Sequence, residues 1–295
     1  MCELFCLSSR RPTRATFSLK RFAAHGAPDY GRNVDGWGVA FHEGRDIRLY
    51  KEPEPAGDSP WVAFIEQRSL STRLLISHIR RATCGANSHA NTQPFARELG
   101  GRMHLFAHNG GFDDIASRFS RSEHKAGHRF HPVGETDSEM AFCLLLDRLA
   151  PLWKGTAAIP SLPVRRAAVT EFAAEMRPLG IANFLYSDGE FIFGHGHRRT
   201  QADGIVAPPG LWVRHRHRAG AAHDAAGHDA AAASGVVIHD RHAGEAHQAG
   251  QEIALLASVP VTAGHWQPLA EGEIVVVSAG ELVPDGRTGH SNTTD

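Results

Sequence analysis

Cys2 is the residue whose type and position carry the most chemical potential. It follows the initiator methionine directly. Cysteine is small, so removal of Met1 is expected, which leaves a thiol and a free α-amine on one residue. An α-amine has a pKa near 7.7–8.0, so part of it is neutral at pH 7. It can take the thiol proton directly or through one water, as the N-terminal threonine hydrolases do. No histidine base is then required. By itself such a cysteine is more often an incidental residue at a strand start, but three further segments weigh against that. His78-Ile79-Arg80-Arg81-Ala82-Thr83-Cys84-Gly85 leaves a strand and ends in a glycine. His108-Asn109-Gly110 lies at another strand end, where Asn-Gly also reads as an ordinary β-turn. Gly134-Glu135-Thr136-Asp137-Ser138-Glu139 opens a helix with a capping-box pattern.

Taken in order with Met1-Cys2-Glu3-Leu4 and Asp35-Gly36-Trp37-Gly38, these segments resemble a class II glutamine amidotransferase domain, a member of the N-terminal-nucleophile hydrolases. The likeness is greatest to the stand-alone YafJ-type branch. It runs over most of the chain, from about Cys2 to Val283. Each motif alone is weak; the ordered set is specific.

The resemblance implies a site, and the residue types fit it. Glutamine presents a carboxylate, an ammonium and a side-chain amide. Arg80 matches the carboxylate-binding arginine, and a planar guanidinium suits a carboxylate. Thr83 can add a hydroxyl donor. Asp137 matches the acid that holds the ammonium, and the first turn of a helix favours its ionised form. Asn109 and Gly110 match the side-chain and backbone donors to the oxyanion, where preorganised donors lower the barrier by several kcal/mol. The implied mechanism is acyl transfer through a γ-glutamyl thioester on Cys2, which needs no metal or cofactor. Arg80–Gly85 matches a mobile loop that closes over substrate. Arg81 and Cys84 depart from relatives with a fused synthase, which carry Trp and His there. Cys84 reads as a small buried residue in preference to an oxidisable thiol at the mouth. Cys143 reads as core, while His78 and His108 read as packing or supporting groups.

The elements that must position these residues read as follows. Strands are expected over 1–9, 35–41, 47–50, 74–80 and 102–108, and later over 211–213, 253–259 and 274–277. Helices are expected over 16–24, 59–67, 135–149 and 164–176. A hairpin turns at Asp188-Gly189 between Phe184–Tyr186 and Phe191–Phe193. Strand-rich ends with helices between them give an α+β protein with antiparallel sheets. The resemblance sharpens this to a four-layer αββα sandwich of two antiparallel sheets, the Ntn-hydrolase fold. One such domain is expected over 2–283, with a mobile His/Ala/Gly-rich insertion loop at 214–251 and a polar tail at 284–295. Histidine-rich tracts can hold metals, but the spacings here fit no defined ligand motif.

Composition bounds the alternatives. The chain has 295 residues, 42% of them hydrophobic and 21% charged, enough to bury a core without disulfides. Lys and Arg number 31 against 32 acidic residues, so there is no basic footprint for nucleic acid or acidic lipid. The 20 histidines make the charge depend strongly on pH. No apolar run reaches the roughly 18 residues a membrane span needs, and the first 22 residues lack a signal-peptide h-region. A cytoplasmic protein with reduced thiols is expected. Two other functions stay open at this stage. One is a γ-glutamyl amidohydrolase acting on a biosynthetic intermediate, as in the ergothioneine pathway. The other is a non-catalytic regulatory subunit. The expected partners are glutamine or a γ-glutamyl small molecule and a separate ammonia-accepting synthase.

Overall fold

The computed structural model describes residues 2–17, 35–57, 59–68, 70–121, 127–156, 158–218, 236–239, 250–262 and 264–285. Two antiparallel sheets form their framework. The first runs in the order β14 (Gln267–Pro268), β11 (Trp212–Arg218), β13 (Gln251–Ala257), β1 (Glu3–Phe17), β4 (Ser71–Ile79), β2 (Trp37–Glu43), β3 (Asp46–Glu52). β12 (Val236–His239) pairs with the far end of β1. The second sheet runs β16 (Glu281–Leu282), β15 (Ile274–Ser278), β8 (Ile192–His195), β7 (Gly180–Ser187), β6 (Arg102–Phe112), β5 (Phe95–Leu99). A separate short pair joins β9 (Arg199–Thr200) and β10 (Val206–Ala207).

Alternation of side chains along each strand sorts the apolar residues into three layers. Leu4 and Cys6 of β1, Leu74 and Ile76 of β4, and Leu105 and Ala107 of β6 fill the space between the two sheets. Phe5 and Leu7 point the other way, with Trp37, Leu75 and Trp266, against Val62 and Ile65 of α1 (Pro60–Arg68). Phe106 and Phe184 point out of the second sheet against α3 (Asp137–Leu149) and α4 (Leu162–Met176). α2 (Ile115–Arg121) joins that helical layer through Ile115. Three filled interlayers make four layers, so the α+β sandwich read from the sequence is the fold observed. C-terminal strands enter both sheets: β13 lies beside β1, and β15 lies beside β8.

Some local expectations fail. Thr16 and Phe17 were expected to open a helix, but they close β1 and pair with Val237 and Val236. A β-branched and an aromatic residue suit a ladder position, and the partner strand is far away in sequence. The rest of that expected helix lies outside the described residues. β1 reaches its 15 residues by a register shift between Ser8 and Thr13. The segment 214–251 begins as strand, not as loop: Arg214–Arg218 pair in register with Gln251–Leu255 of β13. The loop expected over 219–234 and the polar tail from 286 onward lie outside the described residues. Strand β5 and helix α2 went unforeseen.

Several histidines are locked in the interior. His42, His78, His104 and His195 are all buried. Burial pushes His78 and His104 down to about 3, and His42 and His195 down to about 4. A histidine with a depressed folded pKa contributes stability that is present above its unfolded value near 6.5 and lost as pH falls toward the folded value. The urea midpoint is therefore expected to fall steeply between pH 6.5 and 4. A midpoint that stays flat across that range in urea titrations would contradict this burial.

Candidate active site

The chain enters the first sheet at Glu3, and Cys2 stands just before it. By strand parity its side chain belongs with Leu4 and Cys6, facing the second sheet. Asn109 belongs with Leu105 and Ala107, facing the first. The two meet: Asn109 Nδ2 donates to the Cys2 carbonyl oxygen at 2.6 Å. The Cys2 sulfur is held at the end of β4, where it accepts from the Arg81 N–H at 3.2 Å and lies 3.3 Å from the Arg81 carbonyl. Burial pushes its thiol up to about 11, against the Arg81 hydrogen bond and the Arg80 charge. At neutral pH this sulfur keeps its proton unless a base removes it.

Asn109-Gly110 is not a turn. Both residues lie within β6, paired with Asn183 and Ala182 of β7. Gly110 has φ 151°, and a Cβ there would overlap the Ile181 carbonyl oxygen of β7. Only glycine fits this close approach. His108 points to the helical side, its ring 2.9 Å from both Ser138 Oγ and the Ile181 carbonyl. It ties the start of α3 to β6 and is fully engaged there. His78 is buried on β4 with neither ring nitrogen hydrogen-bonded, and is neutral in consequence.

Asp137 opens α3. Thr136 caps the helix by accepting from the Glu139 N–H at 3.2 Å. The other half of the expected capping box is replaced: Glu139 binds the Gly134 N–H and Arg97. Asp137 Oδ2 accepts from the Phe112 N–H at 2.7 Å, and Oδ1 from the Ser138 N–H at 2.8 Å. Its carboxylate thus lies beside the Gly110–Phe112 backbone, with a cysteine from the 80–85 loop against it. Cys84 Sγ is 3.5 Å from Asp137 Oδ1. Cys84 is exposed, not buried as expected, because residues 83–87 run over the surface. Partial burial and then the Asp137 charge push its thiol up. Cys6 and Cys143 are buried, Cys143 within the helical core.

Arg80 is buried at 3% exposure, and its guanidinium is spent on the loop that follows it. It donates to the Asp35 carbonyl, to Asn87 Oδ1 at 2.8 Å, and to the Cys84 and Gly85 carbonyls. Thr83 is exposed on the same loop. The sequence reading missed the loop's other holders. Asp35 accepts from the Ala82 N–H at 2.9 Å and from Asn87 at 3.1 Å. Asn91 donates to the Ala86 carbonyl and accepts from the Glu135 N–H, clamping the loop to the start of α3. Asn183 of β7 donates to the Asn109 carbonyl at 3.1 Å. Asp35 lies in the Asp35-Gly36-Trp37-Gly38 segment of the resemblance, while Asn91 and Asn183 carry no spacing signal. Among the described residues no three metal-ligating side chains gather, and no helix is long and apolar enough to cross a membrane.

Two face-packed antiparallel sheets with a cysteine at the head of a central strand define an α+β sandwich of the Ntn-hydrolase type. A family model described as glutamine amidotransferases class-II matches residues 1–294, and the chain belongs to that family. It is 37% identical over 199 residues to a protein of Escherichia coli (strain K12) that carries the name "Putative glutamine amidotransferase YafJ". That match covers 66% of this chain and 72% of YafJ. The crystal structure of a predicted glutamine amidotransferase from Pseudomonas aeruginosa is 27% identical. It superposes with a TM-score of 0.65 over 96% of this chain and 100% of that one. The glutamine phosphoribosylpyrophosphate amidotransferase of B. subtilis is 13% identical with a TM-score of 0.57 and shares the fold. This chain spans about half of it, 48%.

The geometry predicts which thiols are accessible. With a maleimide at pH 8, Cys84 is expected to label in the native protein while Cys6 and Cys143 do not. Asp137→Asn removes a negative charge that holds the Cys84 thiol up, so Cys84 labelling is expected to speed up. Labelling of Cys6 in the native state, or an Asp137→Asn rate no faster than the parent, would contradict the arrangement.

Proposed function

We propose that the protein hydrolyses the γ-carboxamide of glutamine through a thioester on Cys2, releasing glutamate and ammonia. The observation that supports this reading is the hydrogen bond from Asn109 Nδ2 to the Cys2 backbone carbonyl, which joins across the two sheets the residues proposed as oxyanion donor and nucleophile. In this reading Met1 is removed and the new α-amine takes the Cys2 thiol proton. The sulfur bonds to the γ-carbon, and the carbonyl electrons move onto oxygen, facing Asn109 Nδ2 and the Gly110 N–H. Collapse breaks the C–N bond, and the α-ammonium gives its proton to the departing ammonia. Water then attacks the thioester, giving glutamate and the free thiol.

Asp137 takes the substrate ammonium, because its carboxylate opens toward the loop beside Gly111 and Cys84. Arg80 takes the carboxylate, with Thr83 beside it. Its guanidinium already binds the Cys84 and Gly85 carbonyls, so substrate exchanges with loop backbone and loop movement accompanies binding. Class II membership and the family names of the relatives support glutamine as the donor. The proposal includes an ammonia-accepting synthase as partner.

Ammonia release from glutamine, measured beside hydrolysis of γ-glutamyl amines, tests the reading. Cys2→Ala is expected to lose about 10³-fold or more in rate. Asn109→Ala loses roughly 10²–10³-fold in kcat. Asp137→Asn raises KM by roughly 10–100-fold, the cost of one charge-assisted hydrogen bond. An uncleaved N-terminal fusion is expected to be inactive and a C-terminal one active. A fully active N-terminal fusion would overturn the mechanism. Cleavage of γ-glutamyl amines with glutamine untouched would move the assignment to a γ-glutamyl amidohydrolase.

A further inference from the structure

The residue after the nucleophile is a carboxylate that strand alternation places on the apolar outer face of the first sheet. Glu3 shares its parity with Phe5 and Leu7, and it is fully buried. A charge there is destabilising unless it is partnered. One oxygen is: Arg199 of β9, itself buried, lies 3.1 Å from Glu3 Oε1. Arg199 also donates to the Ser258 carbonyl just after β13. Ser258 clasps the neighbouring backbone, accepting from the Leu4 N–H at 2.6 Å and donating its own N–H to the Leu4 carbonyl at 3.0 Å. The second oxygen, Glu3 Oε2, is buried without a hydrogen-bond partner. Burial raises the Glu3 pKa, and the Arg199 charge and the Ser258 hydroxyl oppose that rise; this carboxyl group sits one residue from the amine that the proposed mechanism uses.

We propose that Glu3 is a positioning residue for the nucleophile: paired to Arg199 it anchors the head of β1, and its free oxygen's charge sets the basicity of the Cys2 α-amine. This rests on the N-terminal-nucleophile reading above. The groups facing this corner come from four elements. The end of β4 brings Arg80 and the neutral His78, β9 brings Arg199, β13 is followed by the hydroxyl of Ser258, and β6 brings the uncharged Asn109. The Cys2 thiol completes the set. Glu3 adjoins the amine in the chain and favours the ammonium form, as does the more distant Asp35 carboxylate on the Ala82 N–H, while Arg80, Arg81 and Arg199 oppose it. Without Glu3, Arg199 becomes an uncompensated buried cation at the head of β1, and the amine loses its proton at lower pH.

The test is the pH dependence of kcat/KM for glutamine hydrolysis by the parent chain, Glu3→Gln and Glu3→Asp. In Glu3→Gln the acid limb, which reports the amine, is expected to move to lower pH by about half a unit or more. Its kcat should fall several-fold, with KM within about two-fold because the substrate subsites are untouched. Glu3→Asp keeps the charge and should restore the limb at least in part. If Glu3→Gln does not fold, the double variant Glu3→Gln with Arg199→Met carries the test. It removes both buried charges together, which folds tolerate far better than breaking a pair, and should shift the limb the same way by less. A folded variant of either kind with the parental acid limb overturns the proposal and leaves the proposed function standing. A parent chain that hydrolyses no glutamine at any pH overturns both.

Discussion

The structure depends on a rule of strand geometry: successive side chains face opposite sides of a sheet. Cys2 and Asn109 are 107 residues apart and lie in different sheets. They meet because each has the parity of the residues that fill the inter-sheet space. A one-residue slip of β1 against β4 would turn Cys2 toward the outer layer and bring Glu3 into the cleft. In the proposed mechanism the register of β1 is therefore a functional constraint as much as a packing one. It is fixed on both edges, by β4 and β13, over the stretch of Phe5 and Leu7 that the outer core buries.

The site is assembled from backbone ends more than from side chains reaching out. Arg80 ends β4, Asn109 and Gly110 lie near the end of β6, and Asp137 begins a helix whose cap also clamps the 84–87 loop. Burial, and not a charged neighbour, dominates the Cys2 thiol and keeps it protonated. In the proposed mechanism that thiol needs a base at hand, and neither His108 nor His78 can serve: His108 is bound on both nitrogens, and His78 is too weak a base.

Much of this was legible in the sequence because the motifs are local. The helix start at Thr136-Asp137, the hairpin at Asp188-Gly189 and the strands ending at Ile79 and entering His108-Asn109 are short-range patterns with their own physics. What was illegible is long-range. Thr16 and Phe17 extend β1 because Val236 and Val237 lie alongside, and nothing near them in sequence says so. Asn-Gly at 109–110 imitates a turn, and only the close approach of β7 shows that the glycine serves strand packing. Cys84 was expected to be buried, but its loop is held from beneath by Arg80, Asp35 and Asn91, which leaves its side chain outside. The Arg80 fork looked free for a substrate carboxylate, yet it holds that loop.

The central claim is that a processed Cys2 attacks a glutamine-shaped carbonyl. Intact-mass and peptide-level mass spectrometry of the purified protein, with and without a glutamine-analogue diazo-ketone, tests it most directly. The account predicts a chain that begins at cysteine and carries one adduct, on Cys2. A chain that keeps Met1, or an adduct on Cys84 with Cys2 unmodified, would contradict it.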